Sequence, residues 1–97
     1  MNKQEILDLL HDHYAEIERR FHVKQLSLFG SAARDEMTDK SDIDVLVEFD
    51  GPATFDGYMG LKGYMEELFS KKVDLITASG LKPRARPHVE KDLIHVA

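Results

Sequence analysis

The stretch Leu28 to Val47, LFGSAARDEMTDKSDIDVLV, most constrains what this chain can become. An apolar run ends on Gly30-Ser31, and ten residues later a period-two segment opens with Asp42-x-Asp44. Ile43, Val45, Val47 and Phe49 alternate with Asp42, Asp44, Leu46 and Glu48, the pattern of a strand with one face on a core. Val23 to Phe29 reads as a strand before it, and Ser31 to Met37 as a short helix capped by Ser31. Thr38 to Ser41 reads as a turn.

Around this centre the periodicity turns helical. Asn2 and Glu5 form a capping-box pattern, and Ile6, Leu9, Leu10, Tyr14, Ile17 and Phe21 predict a first helix to about Arg20. Tyr58, Leu61, Met65 and Leu68, with Tyr64 and Phe69, predict another, its stripe facing core and its Gly60 and Gly63 serving close packing. Val73 to Ile76 reads as a short third strand, and Pro87 to Leu93 as a final helical turn. The expected fold is mixed α+β: a small mixed sheet of about three strands flanked by helices, in a single domain over residues 1–97.

Composition removes several classes of function. Without cysteine, disulfide frameworks and thiolate metal sites are excluded. The longest apolar run in the second strand is Val45-Leu46-Val47, far below the ~20 residues of a membrane helix, and residues 1–20 are too charged for a signal peptide. The expected place is the cytoplasm, without a membrane partner. A net charge of −5 argues against direct nucleic-acid binding. Asp35 to Asp56 holds eight acids and one base, whereas Lys71 to Lys91 holds six bases and two acids. Charge runs ordinarily face solvent; here they also describe an acidic centre that needs cations, beside a basic strip suited to an acidic partner or a phosphate.

The chemistry follows from residue type and spacing. Gly30, lacking Cβ, lets backbone lie close to an anion, and Ser31 offers a hydroxyl and an amide at a helix start, a seat for phosphate. Asp42 and Asp44 share a strand face, and adjacent carboxylates repel unless a cation joins them. Their hard oxygens suit Mg²⁺. Asp74, opposite in phase to Val73 and Leu75, makes a third carboxylate if its strand lies alongside, enough for two metal ions about 3.5–4 Å apart. The five histidines show no ligand spacing and read as surface or partly buried residues. The tyrosines read as packing residues, with self-modification of one left open.

Gly-Ser, ten residues and Asp-x-Asp resemble the minimal nucleotidyltransferase (MNT) family of the DNA polymerase β superfamily. Ala33-Arg34, Ser41-Asp42-Ile43-Asp44, Lys72 to Ile76 and Leu81 to Arg84 extend the likeness over nearly the whole chain. The resemblance implies a polymerase β-like core, Gly30, Ser31 and Arg34 on nucleotide phosphates, and Asp42 and Asp44 on Mg²⁺. It makes Asp74 third metal ligand and base for the acceptor hydroxyl. It further implies an antitoxin that transfers AMP from ATP to a tyrosine of a HEPN-type ribonuclease toxin in a hetero-oligomeric complex. Two other readings stand beside it: a nucleotidyltransferase acting on a small-molecule hydroxyl, and a silent binding module that neutralises a partner by occlusion.

Overall fold

The computed structural model describes residues 1–96. Helix α1 (Lys3–Phe21) starts where expected: the Asn2 side chain accepts from the Glu5 amide at 2.9 Å, and the Glu5 carboxylate accepts from the Asn2 amide at 3.0 Å. His22, in the left-handed region at φ 54°, turns the chain directly into β1 (Val23–Phe29). A single turn, α2 (Gly30–Ala33), leads through a loop to β2 (Ile43–Phe49). Helix α3 (Phe55–Phe69), capped by Thr54, connects β2 to β3 (Val73–Thr77). Helix α4 (Arg86–Glu90) and the two-residue strand β4 (Ile94–His95) complete the order.

The sheet runs β3-β2-β1-β4, with β2 and β3 parallel and the other pairs antiparallel. Alternation sorts its two faces. Leu26 and Leu28 of β1, Ile43, Val45 and Val47 of β2, and Val73 and Leu75 of β3 are buried with Ile6, Leu10 and Ile17 of α1 and Leu61, Met65 and Phe69 of α3. On the opposite face Phe29, Leu46 and Ile76 pack beneath Leu81, Val89 and Leu93, so that residues 81–93 form a strap across it. Asp44 and Asp74 share that face at one end of the sheet, Asp44 partly buried and Asp74 exposed. Among the described residues no helix is long and apolar enough to cross a membrane.

Four expectations change. The sheet has four strands rather than about three, because β4 is too short to leave an alternation signal; it is fixed by pairing of Ile94 with Leu28 and by the Val96 amide donating to the Leu26 carbonyl at 2.8 Å. The final helix is Arg86–Glu90, ending before Leu93 because the chain must extend into β4. The helix expected over Ser31 to Met37 with Ser31 as its cap is one turn, Gly30–Ala33, despite its good helix formers; Phe29 stands at its N-cap and Ser31 inside the turn, with no side-chain cap bond. Tertiary contacts override propensity there: Asp35 adopts φ 58°, and its carboxylate accepts from the Lys3 amide at 2.9 Å. Finally, only Gly60 serves close packing, since a Cβ there would stand 3.0 Å from the Phe21 ring whereas one at Gly63 would meet nothing within 4 Å.

Candidate active site

Strand register brings the motif together. Phe29 pairs with Asp44 across β1 and β2, and Asp44 pairs with Asp74 across β2 and β3. The chain turns at Gly30 immediately after Phe29, and its φ of 67° lies where a side chain is strained. A Cβ on Gly30 would fall 2.1 Å from Asp44 Oδ2, so the glycine backbone lies directly against that carboxylate. Ser31 follows, partly buried, and the amides of this first turn lack intrahelical acceptors. A four-residue α2 carries little macrodipole, so anion attraction here comes from local N–H groups rather than from a helix dipole, a correction to the helix-start argument.

The electrostatics centre on Asp44. Its pKa is pushed from 3.8 up to about 6, first by burial, then by the charge of Asp74 and a hydrogen bond with it, then by Asp42; Arg34 pulls the other way. Asp44 is partly buried, whereas Asp42 and Asp74 are exposed. Among the described residues no three acidic or histidine side chains converge on one point, so the expected triad is here a close Asp44–Asp74 pair with Asp42 within electrostatic reach. The donor set nevertheless fits Mg²⁺: the ligands are hard carboxylate oxygens, the outer two side chains lie at the surface, and this ion commonly takes only one or two protein carboxylates. A cation would also relieve the repulsion that raises the Asp44 pKa.

The remaining site expectations fare differently. Arg34 stands at the end of α2, but it is already engaged: its Nη1 donates to Asp92 Oδ2 at 2.7 Å and its Nε to Glu36 Oε2 at 3.5 Å. Asp92 had no signal in the sequence, lying 58 residues from Arg34 at the end of the strap. The basic strip is not one surface. Lys71 reaches back to the Asp39 carbonyl at 3.1 Å, whereas Arg86 pairs with Glu90 at 3.4 Å and lines a cleft with Val47, Glu48 and Phe49, at the sheet end opposite Asp44. Lys82 and Arg84 line a second concavity with His88. Three histidines act as tethers: His11 to the Val96 carbonyl, His13 to the Tyr64 hydroxyl, and His95 to Ser27 Oγ. All three tyrosines belong to the α1 and α3 layer, with Tyr58 donating to the Leu75 carbonyl and Tyr64 to Glu16. Tyr14 and Tyr64 lie in that layer away from Asp44, whereas the Tyr58 hydroxyl reaches the edge strand at Leu75, the residue after Asp74.

One substitution tests the glycine contact. Gly30→Ala combines a left-handed backbone with a methyl group driven into Asp44, and it is expected to lower nucleotidyl transfer at least ~10²-fold, the scale of a misplaced catalytic group. A purification giving folded protein with undiminished transfer would show that the close approach is unnecessary.

Comparison with known proteins gives the family. Residues 12–96 match the nucleotidyltransferase domain family. A Methanocaldococcus jannaschii protein assigned as a protein adenylyltransferase is 40% identical over 93 residues, covering 95% of each chain. Protein adenylyltransferase MntA of Thermococcus cleftensis is 33% identical over 93 residues, 96% of this chain and 94% of that one. A solved minimal nucleotidyltransferase superposes with a TM-score of 0.82 at 31% identity, covering 97% of this chain and 95% of that one. A complex of an MNT antitoxin with tri-AMPylated Shewanella oneidensis HEPN toxin contains a chain matching at TM-score 0.69 over 94% of this chain and 71% of that one; at 16% identity it shows the fold alone. The chain belongs to the nucleotidyltransferase domain family, in its minimal form, and is a nucleotidyltransferase.

Proposed function

We propose that this enzyme transfers AMP from ATP to a tyrosine hydroxyl of a HEPN-type ribonuclease toxin, thereby silencing it as the antitoxin of a hetero-oligomeric pair. The observation that carries the reading is the meeting of partly buried Asp44, exposed Asp74 and the Gly30 backbone at one end of the sheet. All three tyrosine hydroxyls are engaged with their own chain, Tyr14 with the Lys24 carbonyl, Tyr58 with the Leu75 carbonyl and Tyr64 with Glu16, which favours an acceptor hydroxyl presented from outside the chain. The relatives named as protein adenylyltransferases support a protein acceptor.

In this mechanism Gly30 and Ser31 receive the phosphates through backbone amides and the Ser31 hydroxyl. Asp42 and Asp44, with Asp74 as third ligand, would hold two Mg²⁺ ions, which when bound neutralise phosphate charge and orient the α-phosphate. Asp74 accepts the tyrosine proton as the phenolic oxygen forms its bond to the α-phosphorus and the bond to the pyrophosphate oxygen breaks. The open shelf lets the acceptor approach in line with the leaving group, within about 3–3.5 Å in a near-attack arrangement.

The test is co-expression with the toxin followed by mass spectrometry. Toxin recovered with wild type is expected to carry adenylyl groups on tyrosine, and toxin recovered with Asp42→Asn/Asp44→Asn none. A toxin fully inhibited yet unmodified with both proteins would point to occlusion instead. An unmodified toxin together with ATP consumption on an added small alcohol would move the acceptor to a small molecule.

A further inference from the structure

A buried or half-buried carboxylate needs a partner, and Asp92, whose side chain is only 13% exposed, has Arg34 at 2.7 Å. The contact joins two segments distant in sequence. Arg34 closes the α2 turn begun by Gly30 and Ser31, and Asp92 sits at the end of the strap. Beside Asp92, Leu93 packs in the cluster around Phe29, the residue from which the chain turns into Gly30. The phosphate seat is thus braced twice by one end of the strap, through apolar contact beneath and through an ion pair at its edge.

The geometry of the guanidinium adds the functional half. Asp92 takes Nη1 at 2.7 Å, while the exposed Glu36 lies at the outer hydrogen-bond limit of 3.5 Å from Nε, so Asp92 is the principal anchor of the group. Among the described residues no hydrogen bond engages Nη2, which keeps two N–H donors available beside the anchored Nη1. Arg34 also stands close enough to Asp44 for its charge to act on that carboxylate. A fork pinned in this way loses little freedom when it meets an anion, and guanidinium donors match phosphate oxygens well.

We propose that Asp92 is a positioning residue of the nucleotide site: it holds the Arg34 guanidinium beside the Gly30–Ser31 turn with Nη2 directed to the triphosphate. The inference rests on the reading that ATP occupies that turn. It assigns the strap, and not only the motif, to nucleotide affinity.

The experiment is calorimetric titration of the intact protein with ATP and Mg²⁺, comparing wild type, Asp92→Asn, Arg34→Gln and the double variant, with thermal melts of each. Asp92→Asn is expected to weaken ATP binding about tenfold in the wild-type background and to have no further effect on it once Arg34 is Gln. A merely structural role would lower the melting temperature and weaken ATP equally in both backgrounds, and that result overturns the proposal. Tighter ATP binding by Asp92→Asn also overturns it, since Asp92 would then compete for the arginine. If Asp92→Asn does not fold, Asp92→Glu, which displaces the same carboxylate by one methylene, serves the same four-way comparison. Wild type that fails to bind ATP would overturn the functional reading, and the inference with it. Wild type that binds while Asp92 variants match it would overturn the inference alone.

Discussion

Asp42→Asn with Asp44→Asn is expected to reduce AMP transfer to background, while Asp44→Asn alone raises the thermal stability of the metal-free protein at pH 7. The loss follows from removing the carboxylates that would hold the ions: deleting groups that stabilise developing charge costs on the order of 10²–10³-fold each. The gain follows from what the same carboxylates cost the fold. Asp44 is partly buried in register with Asp74, and its pKa stands at about 6 instead of 3.8. A carboxyl group with a raised folded-state pKa destabilises the native state wherever it is ionised. Above about pH 6 that cost is complete; between about 6 and 4 the folded protein keeps a proton that the unfolded chain has released, so the cost fades as the pH falls.

Discounted for the solvent exposure of the group, the cost is on the order of 1 kcal/mol. For a chain of this size that corresponds to about 4–8 °C in melting temperature. Melts in EDTA from pH 4 to pH 7 should therefore show Asp44→Asn above wild type at pH 7, with the two converging near pH 4. Mg²⁺ should raise wild type and leave the double variant unmoved. A variant less stable than wild type at pH 7, or one retaining transfer, would refute the assignment of Asp44 as a carboxylate kept at the fold's expense for a cation.

The site itself was legible in the sequence. Asp at a strand entry is ordinary turn chemistry by itself, so the signal lay in Asp42 and Asp44 together with Gly30 and Ser31 at fixed spacing. The first helix was legible for a different reason, since the Asn2 and Glu5 reciprocal cap and the recurrence of Ile6, Leu10 and Ile17 are both local. What could not be read was set by contacts across the sequence. The α2 turn is cut short by the Asp35 contact with Lys3, β4 exists through pairing with Leu28, and Arg34 is held by Asp92. The basic strip shows the same limit in reverse: residues close in sequence need not share a surface, and β3 carries Lys71 and Arg86 to different ends of the sheet.

Asp74 separates binding from turnover. It is exposed on the edge strand β3, and its place in the register beside Asp44 gives it two opposed effects on the site. As the proposed base for the tyrosine proton it acts only when the acceptor is attacked, so Asp74→Asn should lower the transfer rate at least ~10²-fold. As a neighbouring negative charge it is, after burial, the largest contributor to the raised Asp44 pKa. Removing it lets Asp44 ionise at lower pH, so the variant should bind Mg²⁺ and ATP relatively better than wild type near pH 5, where wild-type Asp44 is largely protonated. The loss of a third ligand works against this gain, most visibly near pH 7, where Asp44 is ionised in both proteins. Single-turnover transfer and calorimetric binding at pH 5 and pH 7 measure the two effects separately. A slow rate with an improved ratio of acid to neutral affinity is the expected pair. Undiminished transfer would return Asp74 to the status of an ordinary edge-strand residue, and an unchanged affinity ratio would show that its charge does not govern Asp44.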